Sequence, residues 1–186
     1  MKALLKTARE LAYSEVEKTG MPLKIHIELS CEKAKQLAKE LGADVDIVEA
    51  GTLLMDSIIG TAINEGRVAE HVEMCFEKAN EILEQSQVDE KTKENIRHCV
   101  SEHHGVDKFY SVESEICCNA DCYRFASTKG FFYTIRFLRA MPTDDFIKLL
   151  RNKFDEKRGA LTLDICKDEL KEELVTIDSF ITKLTE

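Results

Sequence analysis

The chain has 186 residues, 44% hydrophobic and 33% charged, with a formal net charge of −9. That length predicts one domain with a small extension, able to bury roughly 70% of its unfolded surface without disulfide staples. The acidic balance excludes non-specific binding to nucleic-acid duplexes or anionic lipid, both of which need a surplus of Lys and Arg, but allows a small phosphorylated ligand in a local basic pocket.

The first segment, MKALLKTARELAY, carries charges throughout and reads as an amphipathic helix rather than a signal peptide, with Leu4, Leu5, Ala8, Leu11 and Ala12 as its apolar stripe. After Pro22, Ile25, Leu29, Leu37 and Leu41 mark a second helix that Gly42 stops. Asp46 with Glu49 resembles a capping box opening a helix that runs through Leu53 and Asp56. A helix starting near Arg67 carries Val72, Phe76, Ala79, Ile82 and Leu83. Asp89 caps the next one, through Ile96 and Val100, which Gly105 ends. Ile116 to Phe125 reads as a buried helix and Gly130 to Leu138 as core. Thr143, with Asp144 and Asp145 in the first turn, opens a further helix, and Leu161 to Leu184 is amphipathic.

This is an all-α chain of eight or nine helices with short connections, divided as residues 1–140 and a C-terminal helical extension, 141–186, packed on the same domain. No apolar run approaches the ~20 residues of a membrane span. Seven cysteines in a chain with no export signal point to free thiols and a cytoplasmic location. They read as core filling, because no second Cys-x-x-Cys pair accompanies Cys118 and Cys122 to complete a structural zinc site.

Five polar features fall at or near apolar helical segments: His26, Asp56, His71, the pair His103–His104, and Asp121. A buried carboxylate is costly unless it is paired or binds a cation, so Asp56 and Asp121 need partners. A satisfied structural acid is the bland reading of each alone. His71 alone reads equally well as an exposed residue near a helix start, and His103–His104 as partners of a helix C-terminus. His98 reads as a surface residue. Imidazoles with carboxylates, without clustered thiolates, suit one or two divalent ions such as Mn, Fe, Ni, Co, Zn or Mg. Lys24 and Arg124 are candidate phosphate-holding cations, and Arg124 could equally pair with Asp121 or a surface Glu.

The order His26, LLMDSIIG with Asp56, EHVEMCFEKANEIL with His71, NIRHCVSEHHG, then NADCYRF resembles the HD superfamily of metal-dependent phosphohydrolases, over about residues 26–137. The resemblance implies an HD-like helical bundle and hydrolysis of a nucleotide or another small phosphate mono- or diester. It implies one metal site of His26, Asp56 and Asp121 and a second of Asp56, His71 and His103. His103 is favoured over His104 because Val100-Ser101-Glu102-His103 matches the family's I-x-x-H-like turn. Asp56 becomes the bridging catalytic ligand, with Arg124 and Lys24 holding phosphate oxygens. The sequence departs from the family at Met55, which stands where the defining His-Asp pair has its histidine. A thioether is a soft, weak ligand for these ions. The alternative is therefore a non-catalytic HD-like protein that binds a nucleotide or a protein partner. Homo-oligomerisation is compatible with either reading.

Overall fold

The computed structural model describes residues 1–138 and 141–184. The boundary drawn at 140/141 falls on a residue outside the described ones, as does the end of the extension. The described residues contain α-helices, one 3-10 turn and no strand, as expected from the helical periodicity. The helices are α1 Lys2–Thr19, α2 Lys24–Leu41, α3 Val45–Leu54, α4 Ile59–Asn64, α5 His71–Glu84, α6 Glu90–Ser101, α7 Val112–Ala126, α8 Thr128–Phe137, α9 Thr143–Gly159 and α10 Asp164–Lys183. None is long and apolar enough to cross a membrane.

Helix α7 is the axis of the bundle. Ser111 caps it in a reciprocal capping box with Ser114, satisfying two end donors at 3.0 and 3.2 Å. Its sequence ICCNADC is buried residue by residue, because α2, α3, α6, α8, α9 and α10 all pack around it. The polar members Asn119, Asp121 and Arg124 are buried with the rest, so each needs a partner inside. Asn119 finds one in the link between α9 and α10. Its oxygen accepts from the Thr162 and Leu163 amides at 3.0 and 3.1 Å, and its amide donates to Thr162 Oγ1 at 2.8 Å.

Helices α3 and α6 approach closely because Gly51 has no side chain. A Cβ there would lie 2.4 Å from Cys99 Cβ and 2.9 Å from Cys117 Sγ. All seven cysteines are free and buried, in agreement with their reading as core filling. The main core joins α1, α2, α3, α5, α6 and α7 and reaches into α10 through Cys166 and Leu170. A smaller cluster of Phe131, Leu150, Phe154, Ile177 and Ile181 joins α8, α9 and α10, so the C-terminal segment has an apolar seam of its own.

Several local expectations change. The cap of α3 is Asp44, whose side chain accepts from the Asp46 and Ile47 amides, rather than Asp46 with Glu49. Helix α3 ends at Leu54, so Asp56 lies in the turn before the short α4 and not within a helix. Helix α5 begins at His71, after the 3-10 turn Val68–Glu70. Helix α8 buries Gly130, Phe131 and Thr134 only, leaving Phe132 and Phe137 exposed rather than core.

Candidate metal centre

Helix ends and turns, more than helix interiors, build the site. Asp56 sits in the turn after α3, beside a fully buried Met55. His71 is the first residue of α5. His103 and His104 follow the end of α6, in the turn that closes at Gly105 with φ 95°. At these positions side chains leave the helical rows and can converge from three elements.

The three imidazoles offer ligand atoms that all lie within 4.8 Å of one another, and this group could hold a metal ion. Their tautomers are set from behind. His71 Nδ1 lies 2.7 Å from the Val68 carbonyl, and His103 Nδ1 lies 2.6 Å from the Val100 carbonyl. His104 Nδ1 lies 2.7 Å from Glu156 Oε1. Carbonyls and ionised carboxylates only accept, so each Nδ1 carries a proton, and in the neutral ring each Nε2 then carries the lone pair. The His71 and His104 Nε2 atoms are 3.0 Å apart. Two donors about 2.1 Å from one ion, at roughly 90–110° to each other, lie about 3.0–3.4 Å apart.

Asp56 faces two of the three imidazoles. Its Oδ1 lies 3.7 Å from His71 Nε2 and 3.6 Å from His103 Nε2, within a few tenths of an ångström of the same spacing. Both Asp56 Oδ1 and His103 Nε2 are buried without a hydrogen-bond partner. Orphaned acceptors at depth are costly, and a shared cation relieves both. Three imidazoles, with a carboxylate facing two of them, suit a borderline divalent ion. The residues present therefore fit a metal.

Behind this group runs a chain of alternating charge. Arg124 Nη1 bonds Asp56 Oδ2 and lies 3.1 Å from Asp121 Oδ1, while its Nε donates to Ser30 Oγ at 2.6 Å. Lys157 Nζ lies 2.5 Å from Asp121 Oδ2 and 3.0 Å from Glu156 Oε1. Burial alone would raise the Asp56 carboxyl. Arg124, His103 and His71 outweigh it and hold that carboxyl well below the usual range. Burial likewise works against Asp121, and Lys157 with Arg124 bring it down to about 2. Burial lowers the Lys157 ammonium, but Asp121 and Glu156 win and raise it. Burial lowers the His104 imidazole, partly opposed by Glu156.

The ligand set drawn from the sequence is thus brought together in part. Asp56, His71 and His103 meet. His104, ranked behind His103, stands with it and is the nearer of the two to His71. The grouping of His26, Asp56 and Asp121 is not formed. His26 Nε2 faces the Gly130 carbonyl and Thr134 Oγ1, both at 3.3 Å, and its ring packs edge-on to Phe125. Between Asp56 and Asp121 lies the Arg124 guanidinium. Asp121 is satisfied by two cations, leaving it a structural acid in this arrangement.

Lys24 lies outside the site. Its ammonium is exposed, 3.6 Å from Glu28 and 6.0 Å from the Tyr13 ring centre. Arg124, read as a phosphate-holding cation or a partner of Asp121, is paired with Asp121 and Asp56, with only Nη2 left without a partner. His98, read as a surface residue, is half-buried, stacked on Tyr110 and bonded to Glu102. The sequence reading missed Ser30, Glu156 and Lys157. Lys157 had a signal: Leu150, Phe154 and Lys157 fall at i, i+4 and i+7, one buried face of α9.

No protein-family model matches the chain, and no curated protein does. Among solved structures the chain is similar to Bacillus subtilis YpgQ, with a TM-score of 0.63, 16% identity, and coverage of 98% of this chain and 94% of that one. A likeness at that identity speaks for the fold alone.

Proposed function

We propose that the chain is a divalent-metal-dependent phosphohydrolase of the HD type, acting on a nucleotide or another small phosphate ester, with its metal held by Asp56, His71, His103 and His104. The observation that carries this reading is the convergence of the three imidazoles, two of them facing the buried, unpartnered Asp56 Oδ1. The motif order resembling the HD superfamily supplies the phosphate chemistry. A divalent ion in such a site supplies charge to a phosphoryl oxygen and acidifies a water.

The chain's own residues do the rest. Asp56 ties the metal donors to Arg124, which keeps the carboxylate ionised and oriented. Val68, Val100 and Glu156 fix the imidazole tautomers. Arg124 and Lys157 neutralise Asp56, Asp121 and Glu156 behind the site. Arg124 also stands where a second ion would sit between Asp56 and Asp121, so the proposal is for one ion per chain.

The test is metal-stimulated phosphate release across a panel of nucleotides and simple phosphate esters. Asp56→Asn is expected to abolish it. Absence of turnover with any of Mn, Fe, Co, Ni, Zn or Mg would sink the reading. A second reading, a non-catalytic HD-like protein that binds a nucleotide, is favoured by Met55 and by the salt-bridged Asp121. It predicts metal and nucleotide binding by calorimetry with no turnover.

A further inference from the structure

His104 differs from its two companions in how its orientation is secured. His71 and His103 are fixed by carbonyls three residues earlier in their own turns. His104 is fixed across the fold, by Glu156 on α9, 52 residues later. Two groups compete for its Nδ1. Glu156 Oε1 at 2.7 Å accepts, and so demands a proton on Nδ1. Lys157 Nζ at 3.3 Å only donates, and so demands a lone pair there, which moves the ring proton to Nε2. A protonated Nε2 cannot ligate. At 3.0 Å it would instead donate to His71 Nε2 and occupy that lone pair as well. Glu156 has the shorter contact, and Lys157 is already engaged by Asp121 and by Glu156 itself. Lys153, 2.8 Å from Glu156 Oε2, helps hold the carboxylate in place.

We propose that Glu156 is a positioning residue that keeps His104 in its Nδ1–H tautomer and makes it a third imidazole donor. Helix α9 thereby completes a three-histidine, one-carboxylate site that takes Co2+ or Zn2+ in preference to Mg2+. The inference rests on the metal centre of the proposed function and adds to it the residue that decides whether that centre has three imidazoles or two. Three imidazoles shift the donor set away from the oxygen-rich surroundings Mg2+ requires.

The experiment is a Co2+ titration of the full chain by calorimetry and visible absorption. It compares wild type with Glu156→Ala, Glu156→Gln, His104→Ala and the Glu156→Ala/His104→Ala double variant. Thermal melts of the metal-free proteins establish that each is folded. Glu156→Ala is expected to weaken Co2+ about ten- to a hundredfold and to change the cobalt absorption bands. His104→Ala is expected to match it, and the double variant to lose no more than His104→Ala alone. Glu156→Gln is expected to keep most of the affinity, because its amide oxygen accepts the same N–H. Mg2+ is expected not to displace Co2+ at equal concentration.

Wild-type affinity and spectrum in a folded Glu156→Ala overturns the positioning role, as do fully additive losses in the double variant. Displacement by equimolar Mg2+ overturns the preference. A wild type that does not bind Co2+ overturns the metal centre itself, an outcome distinct from the first three.

Discussion

Asp56 divides its two oxygens between Arg124 and His103. Oδ2 is bonded to the Arg124 guanidinium, and Oδ1, with no hydrogen-bond partner, faces His103 Nε2 at 3.6 Å. One carboxylate thus joins a fixed positive charge to a group of imidazoles. Its ionised form is secured by the first and is available to a cation by the second.

Arg124 should therefore be a large single contributor to stability. It is 3% exposed and shared by two buried acids. Arg124→Met is expected to cost about 3–5 kcal/mol, the range for removing one partner of a buried pair, read by urea denaturation. Adding Asp56→Asn should recover part of the loss by removing the stranded charge. A loss below about 1 kcal/mol would contradict the bridging role.

Ion binding should stabilise the folded chain in proportion to its affinity. Zn2+ at a hundred times its Kd is expected to add about 2.7 kcal/mol, seen as a raised Tm that chelator reverses. His71→Ala should abolish the shift. His26→Ala should keep it, since His26 is engaged by Gly130 and Thr134 rather than by the cluster. If His26→Ala also abolished the shift while staying folded, His26 would be restored as a ligand.

Acid should weaken the fold well above the usual carboxylate range. Burial, helped by Arg124, pushes the His26 imidazole from 6.5 down to about 4. Between those values the unfolded chain binds a proton that the folded chain refuses. The stabilising contribution is thus whole above pH 6.5 and lost as pH falls to 4, a change of about 3 kcal/mol. His104, also lowered by burial, acts in the same direction. Denaturation midpoints from pH 7 to 4 should fall steadily in the wild type and less steeply in His26→Gln. Equal slopes in the two proteins would show that His26 is not the group responsible.

Asn119 should anchor the C-terminal segment. Asn119→Ala leaves the Thr162 and Leu163 amides without their acceptor. The expected cost is about 2–3 kcal/mol, with faster hydrogen exchange at those two amides than in the wild type. Unchanged exchange there would rule out the anchoring role.

The sequence was informative wherever a signal was local. Helical periodicity, Asp89 as a cap and Gly42 as a stop concern neighbours a few residues apart, and the structure has each of them. The short α4 gave no such signal, because six residues carry too little periodicity to stand out. The cap of α3 was misplaced by two residues because Asp44 and Asp46 both suit the role, and only the backbone path selects Asp44.

Residue types also told that Asp56 and Asp121 needed partners, since an acid among apolar neighbours cannot stay unpaired. They did not tell which partner each acid takes. Arg124, three residues after Asp121 on α7, reaches both acids only because α3 ends beside α7. Lys157 reads as part of the charged run KFDEKRG until α9 lays that face on Asp121. Glu156 meets His104 across 52 residues. By itself the sequence determined an all-helical chain and a short set of candidate metal-ligating residues. Tertiary structure alone decided which of them share one point in space. Charge pairing and imidazole tautomers depend on distances of a few ångströms between separate helices, and no spacing along the chain encodes those distances.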